Sequence, residues 1–249
     1  MKKLLTLLLA LVLVCTTFSL VSCNLSGSDA VEKLVGKTPE ELYAASQEKL
    51  KDAKSYSVNA SQVITMSQDG ESMTMTQTVI TKVNGDNSYL KSTNDQTSYA
   101  NMEVWYVDGI VYASMAGMKA KAEIDIEEYR QKYMNSDPSE STLLDLPKSW
   151  FEDIKFEKEG EQWVLNFVVS GDKYTELLGN AGLGSEVNGD VQYKIYFSAD
   201  GDLEKVDTAF DMTIAGVKAH CVSTAVVTFG EVTITPPADA DSYTTTEIS

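Results

Sequence analysis

The 249 residues carry 20 Lys and Arg against 37 Asp and Glu, a net charge of −17, with 43% apolar side chains, three cysteines and one histidine. That balance argues against binding nucleic acid or an anionic membrane surface by charge, because both rest on basic groups meeting phosphate or acidic lipid. Beyond the N-terminal segment there is only one histidine and one cysteine besides Cys23, too few nitrogen and sulfur donors for a zinc-type centre.

The chain opens with Lys2 and Lys3, continues through an apolar run from Leu4 to Val14, and reaches small and apolar residues before Cys23. This is the three-part layout of a secretory signal, read here as residues 1–22. Leu20–Val21–Ser22–Cys23 resembles the lipobox of bacterial lipoproteins, which implies cleavage before Cys23 and diacylation of its thiol. Cys15 lies inside the apolar run and makes a poor acceptor. Two acyl chains give durable attachment, so the expected place is the extracytoplasmic face of a cell membrane, with the membrane itself as a partner through Cys23. Residues 23–37 read as lipidated N-terminus and polar tether. Losing residues 1–22 removes two of the 20 basic side chains and leaves 18 against 37, a net charge of −19.

From residue 38 the pattern is that of a folded unit. Thr38 can cap a helix, Pro39 suits its first position and Glu41 completes a capping box, while Leu42, Tyr43, Ser46, Leu50 and Ala53 form one apolar stripe. The period then drops to two. Val58, Ala60, Ile64 and Met66 alternate with polar residues, and beyond a turn at Gln68–Glu71 so do Met73, Met75, Val79 and Val83. Turns at Asn84–Gly85–Asp86 and Asp108–Gly109 continue a meander through strands at 87–91, 97–107 and 110–122.

Residues 123–158 interrupt it with a short helix around Ile126, Tyr129, Tyr133 and Met134. Trp150, Phe151 and Ile154 then fit either a helical turn or a strand. A second meander follows: Trp163, Leu165, Phe167 and Val169 share a face, Ser170 can cap a helix containing Tyr174, Leu177 and Leu178, and strands run around 191–197, 206–214 and 217–229. Residues 38–237 read as one domain of two meanders, and the threonine-rich stretch 238–249 as a flexible tail.

Catalytic readings do poorly. His220 and Cys221 are adjacent on a strand and therefore face opposite ways, and Cys221, alone in the folded unit, reads as a small buried hydrophobe. Asp200–Gly201–Asp202 lacks the twelve-residue spacing of a calcium loop. Gly179, Gly182 and Gly184 make only a weak glycine-rich anion loop, with no lysine after them. No catalytic residue, metal or cofactor is expected. The methionines Met66, Met73, Met75, Met102, Met115, Met118 and Met212 are adaptable enough to line a cavity for an irregular apolar ligand, and would fill an ordinary core equally well.

Pro39-Glu-Glu-Leu-Tyr-Ala-Ala-Ser-Gln-Glu-Lys-Leu, Ala53-Lys-Ser-Tyr-Ser-Val and Phe229-Gly-Glu-Val-Thr-Ile-Thr-Pro-Pro, set in this order of elements, resemble the periplasmic lipoprotein-carrier and mycobacterial glycolipid-lipoprotein (LolA/LppX-like) group. The resemblance implies an α+β fold, a strongly curved antiparallel half-barrel sheet wrapped around one or more helices, with an apolar hollow. It implies a carrier that binds or transfers a lipid-like molecule, a lipid or lipopeptide, without catalysis. Met66, Met73, Met75, Met115, Phe167, Tyr193, Phe210 and Met212 are the candidate lining. The alternative is a non-enzymatic surface-binding or scaffold module of the cell envelope. A third, hydrolysis of envelope material, would need a convergent acid pair.

Overall fold

A computed structural model of the protein describes residues 39–68, 70–98, 101–126, 128, 150–180, 185–214 and 216–246. The signal, Cys15, Cys23, the tether, the proposed cap Thr38, and Tyr129, Tyr133 and Met134 lie outside them. Helix α1 (Pro39–Asp52) leads into the first meander: β1 (Ser55–Gln68), β2 (Glu71–Asn84), β3 (Asn87–Asn94), β4 (Met102–Val107), β5 (Ile110–Met115) and β6 (Met118–Glu123). The second holds β7 (Phe151–Glu159), β8 (Gln162–Val169), helix α2 (Gly171–Asn180), β9 (Ser185–Phe197), β10 (Leu203–Ile214) and β11 (Val217–Phe229). A 3-10 turn (Ala240–Ser242) and the two-residue strand β12 (Thr244–Thr245) end the described chain.

All twelve strands join one open sheet in the order β12-β6-β5-β4-β3-β2-β1-β11-β10-β9-β8-β7, antiparallel except where β12 runs parallel to β6. The two meanders meet where β1 pairs with β11, Ala60 opposite Ala225 and Ile64 opposite Cys221. Alternation fixes the faces: even residues of β1 pair with odd residues of β2 and β11, and these are the buried ones. One rung can be followed through eleven strands, from Met118 through Met115, Met102, Ser92, Val79, Ala60, Ala225, Val206, Ile195 and Leu165 to Phe156.

Both helices pack on this buried face over β9, β10 and the end of β11. Leu42, Ser46 and Leu50 of α1 are buried at four-residue intervals, the stripe expected of an amphipathic helix. Lys49 pairs with Asp202 at 2.5 Å and lies over the Phe229 ring. Ser198 Oγ accepts from the backbone N–H groups of Asp200 and Asp202, so the acidic turn that superficially suggests a calcium loop is the seat of a helix. On α2, Tyr174 packs against Phe210 and Thr175 Oγ1 accepts from the Val187 N–H at 2.8 Å. The sheet is large, mostly antiparallel and open as expected. Helices enclosed by it are not what the described residues show, since α1 and α2 contact chiefly β9, β10 and Phe229 of β11.

Several boundaries differ from the sequence reading. Residues 110–122 are two strands, because Ala116 and Gly117 both take positive φ, 51° and 82°, and close a two-residue hairpin. The 97–107 strand begins only at Met102, since Asn94 Oδ1 accepts from the N–H groups of Gln96 and Thr97 and turns the chain away. Residues 238–246 are docked instead of loose. Tyr243 is 5% exposed, edge-on to the rings of Trp105 and Tyr112 on the solvent-side face of β4 and β5. Of the two readings for Trp150, Phe151 and Ile154, the strand holds: Phe151 and Ile154 lie on β7, with Phe151 edge-on to Phe167.

Candidate ligand-binding face

The buried face is closed in one region and open in another. Over β1, β2 and β7–β11 its side chains form one core, in which Phe197, Leu165, Ile195, Leu203 and Met212 are fully buried. Each such side chain contributes about 1.5–3 kcal/mol through burial. A smaller core of Tyr106, Val111 and Ile124 lies at the β4–β5 end. At the opposite end of β4–β6 from this small core the same face continues as Met102, Met115 and Met118 on neighbouring strands, where Met115 is 49% and Met118 66% exposed.

All eight residues singled out as cavity lining lie on this face, in two groups and one outlier. Met66 opposes Met73, and Ile64 opposes Met75, on β1–β2. Phe167 and Tyr193 stack at 4.8 Å on β8–β9, with Phe210 and Met212 on β10. Six of the eight are buried in the large core, Met73 packs partly buried against it, and Met115 stands apart on β5.

One feature of the face escaped the sequence reading. Asn94, Gln77, Gln62, Ser223 and Thr208 occupy a single rung across β3, β2, β1, β11 and β10, one step along from Ser92, and all five are buried. Tyr193 continues the rung on β9. Thr208 and Ser223 share a hydrogen bond at 2.5 Å, and Gln77 Nε2 donates to Ser92 Oγ at 3.1 Å. Gln77 Oε1 and Asn94 Nδ2 are buried with no hydrogen-bond partner among the described residues. The signal was present in sequence: Gln62 interrupts Val58, Ala60, Ile64 and Met66, and Gln77 stands between Met75 and Val79.

The remaining candidates separate as their strand positions require. Cys221 faces the core, 3.6 Å from Met212 Sδ, and burial first, then the charge of Asp211, pushes its thiol up to about 12. His220 is on the opposite face, its Nδ1 2.7 Å from Asp211 Oδ1, and both side chains are exposed. Nothing links the two chemically. Gly182 and Gly184 lie outside the described residues. A depression of about 480 Å3 at the β4–β5 turn is lined by Asp108, Glu123, Asp125 and Glu128 with Gly109, Ile110 and Ile124. Among the described residues no group of three or more His, Cys, Asp or Glu is placed to hold a metal ion.

The fold and face define a class: an open antiparallel sheet whose one apolar face carries the core, two helices and a methionine border. The chain belongs to a family of unknown function, DUF6612, whose model matches residues 38–200. Among solved structures it is similar to LprF from Mycobacterium bovis, at 10% identity and TM-score 0.40 over 86% of this chain and 99% of that one. It is similar to the lipoprotein LppX from Mycobacterium tuberculosis, at 9% identity and TM-score 0.37 over 81% and 95% of the two chains. A LolA superfamily protein from Nitrosomonas europaea follows at 12% identity and TM-score 0.23, over 76% and 94%. No curated protein matches the chain in sequence.

Proposed function

We propose that the protein is a lipoprotein of the cell envelope, held at the extracytoplasmic face by acylated Cys23, that binds or passes on a lipid-like apolar molecule and performs no catalysis. The observation that carries this reading is the continuation of the apolar face past its packed core onto Met102, Met115 and Met118. Met115 and Met118 stand exposed side by side on the face that carries the core, and methionines adapt to an irregular apolar partner. The mature chain, residues 23–249 made without the signal, is expected to keep a lipid-like molecule through detergent-free purification, seen as a discrete increment in native mass spectrometry. Once stripped, it should take up a long-chain probe to saturation. Met115→Glu should weaken that uptake several-fold with unfolding unchanged, because Met115 lies outside the core. Folded protein with no saturable uptake would sink the carrier reading.

A second reading has its own support. Six of the eight proposed lining residues are core residues, as in a scaffold module that uses only its outer surface, and absence of uptake would favour it. The anchor is tested separately. Cys23→Ala should move the protein from the membrane fraction to the soluble fraction and remove the lipid increment from its intact mass. A native N-terminus upstream of residue 23 would end that proposal.

A further inference from the structure

Rungs on the buried face of a sheet are ordinarily apolar, and a buried polar atom without a partner loses its hydrogen bonds to water with nothing in return. Gln77 and Asn94 are directly opposed on β2 and β3 and are 1% and 7% exposed. Directly opposed side chains stand about 5 Å apart at Cβ, so the two side chains that carry the orphaned atoms are immediate neighbours on one face. Asn94 is oriented by its surroundings: its Oδ1 accepts from Gln96 and Thr97 N–H at 2.9 and 3.2 Å, which leaves Nδ2 as the free donor. Gln77 spends Nε2 on Ser92 Oγ, which leaves Oε1 as the free acceptor. No Lys, Arg, His, Asp or Glu is among the buried side chains of the described residues, so a charged group placed here would be buried unpaired. The cover is adjustable, since Met75 lies two residues before Gln77 on the same face and Met102 opposes Ser92. From Ser92 the rung runs over Met102 and Met115 to Met118, three strand spacings or roughly 14 Å, room for the head-proximal part of a long acyl chain.

We propose that the ligand is a lipid carrying an uncharged group that offers a hydrogen-bond donor and an acceptor together, an amide or a hydroxyl, seated on Gln77 and Asn94 with its chain directed along the methionine rung. This rests on the lipid-binding reading above and deepens it. The test compares uptake of five probes of equal chain length by residues 23–249: N-hexadecylacetamide, hexadecanol, methyl palmitate, palmitate and hexadecane. The amide and alcohol should bind about tenfold tighter than the ester, which has no donor, and than hexadecane, because a ligand lacking the group leaves buried polar atoms unpaired. Gln77→Met keeps shape and apolar volume and should erase that preference while hexadecane binds as before. Asn94→Ser keeps an oxygen acceptor for the 96–97 turn, withdraws the Nδ2 donor without adding charge and should weaken the alcohol, so the proposal stays testable if Gln77→Met fails to fold. Equal binding of all five probes, as expected if the spot merely holds water, would overturn the proposal and leave the carrier reading intact. Tightest binding of palmitate would overturn it too. Uptake of none would remove the carrier reading, and this inference with it.

Discussion

Alanine in place of Gly171 should cost roughly 3 kcal/mol, the upper end for forcing extra volume into a packed site, and lower the Tm by roughly 6–12 °C in a domain of this size. Helix α2 starts where β9 bulges: between the Asn188–Asp211 and Gln192–Ala209 pairs, β9 has three residues and β10 one. The bulge turns backbone carbonyls toward the helix. A Cβ on Gly171 would stand 2.1 Å from the Gly189 carbonyl oxygen and 2.9 Å from that of Val187. Neither can swing aside as a side chain could. The helix would have to lift, and Tyr174 on Phe210 and the Thr175–Val187 hydrogen bond would lift with it.

The comparison that isolates this cause is Gly216→Ala. Gly216 has φ +83° and open space around its Cβ position, so only the left-handed backbone is penalised there, at about 1–2 kcal/mol. Thermal or denaturant midpoints of the two variants check the prediction. A shift for Gly171→Ala no larger than for Gly216→Ala would mean that α2 and β9 part easily and that their close approach contributes little.

What could be read in the sequence was whatever is written in neighbouring residues. The stripe Leu42, Ser46, Leu50 is local, as are the alternation of β1, β2 and β11 and the Asp108–Gly109 turn. Ala116–Gly117 was missed because alanine at positive φ runs against its own preference, so the residues of β5 and β6 read as one strand. The polar rung was hidden for another reason. Gln62, Gln77 and Ser223 each look like a single lapse in an apolar pattern, and only the pairing of β1 with both β2 and β11, far apart in the chain, sets them side by side. Long-range register is the part of a sheet that propensity does not encode. For the same reason the candidate lining was half legible: parity puts all eight residues on one face, while their burial depends on packing between residues far apart in the chain.

Tyr243→Ala should free the C-terminal strap and leave the rest of the sheet folded. The segment after β11 is tied in stages: Ser55 Oγ accepts from the Val232 N–H, Asn84 Nδ2 donates to the Val232 carbonyl, and beyond Pro237 the chain reaches β6, where Lys121 Nζ donates to the Ala240 carbonyl and Thr246 N–H to the Lys121 carbonyl. Among the described residues Tyr243 is the one large side chain this end buries, with ring centroids 5.6 Å from Tyr112 and 6.4 Å from Trp105 and with Lys119 over its face. Removing a buried aromatic costs about 3–5 kcal/mol in a core. A terminal strap can instead detach, so the effect should appear as local opening, with amide exchange over residues 240–246 faster by about two orders of magnitude for a loss of roughly 3 kcal/mol.

Acid should act on the same contact. Lys119 and, after it, Ser242 hold the Asp239 carboxyl below the usual carboxylate range. A group whose value is lowered by docking favours the docked form above its free value and ceases to do so as pH falls toward the docked one. Protection of the 240–246 amides, measured against their intrinsic exchange rates at each pH, should therefore fall below about pH 4, and Asp239→Asn should flatten that dependence with Tyr243 still in place. Unchanged exchange in Tyr243→Ala would show that the hydrogen bonds to Lys121 hold the strap by themselves and that the aromatic seat on Trp105 and Tyr112 only fills space.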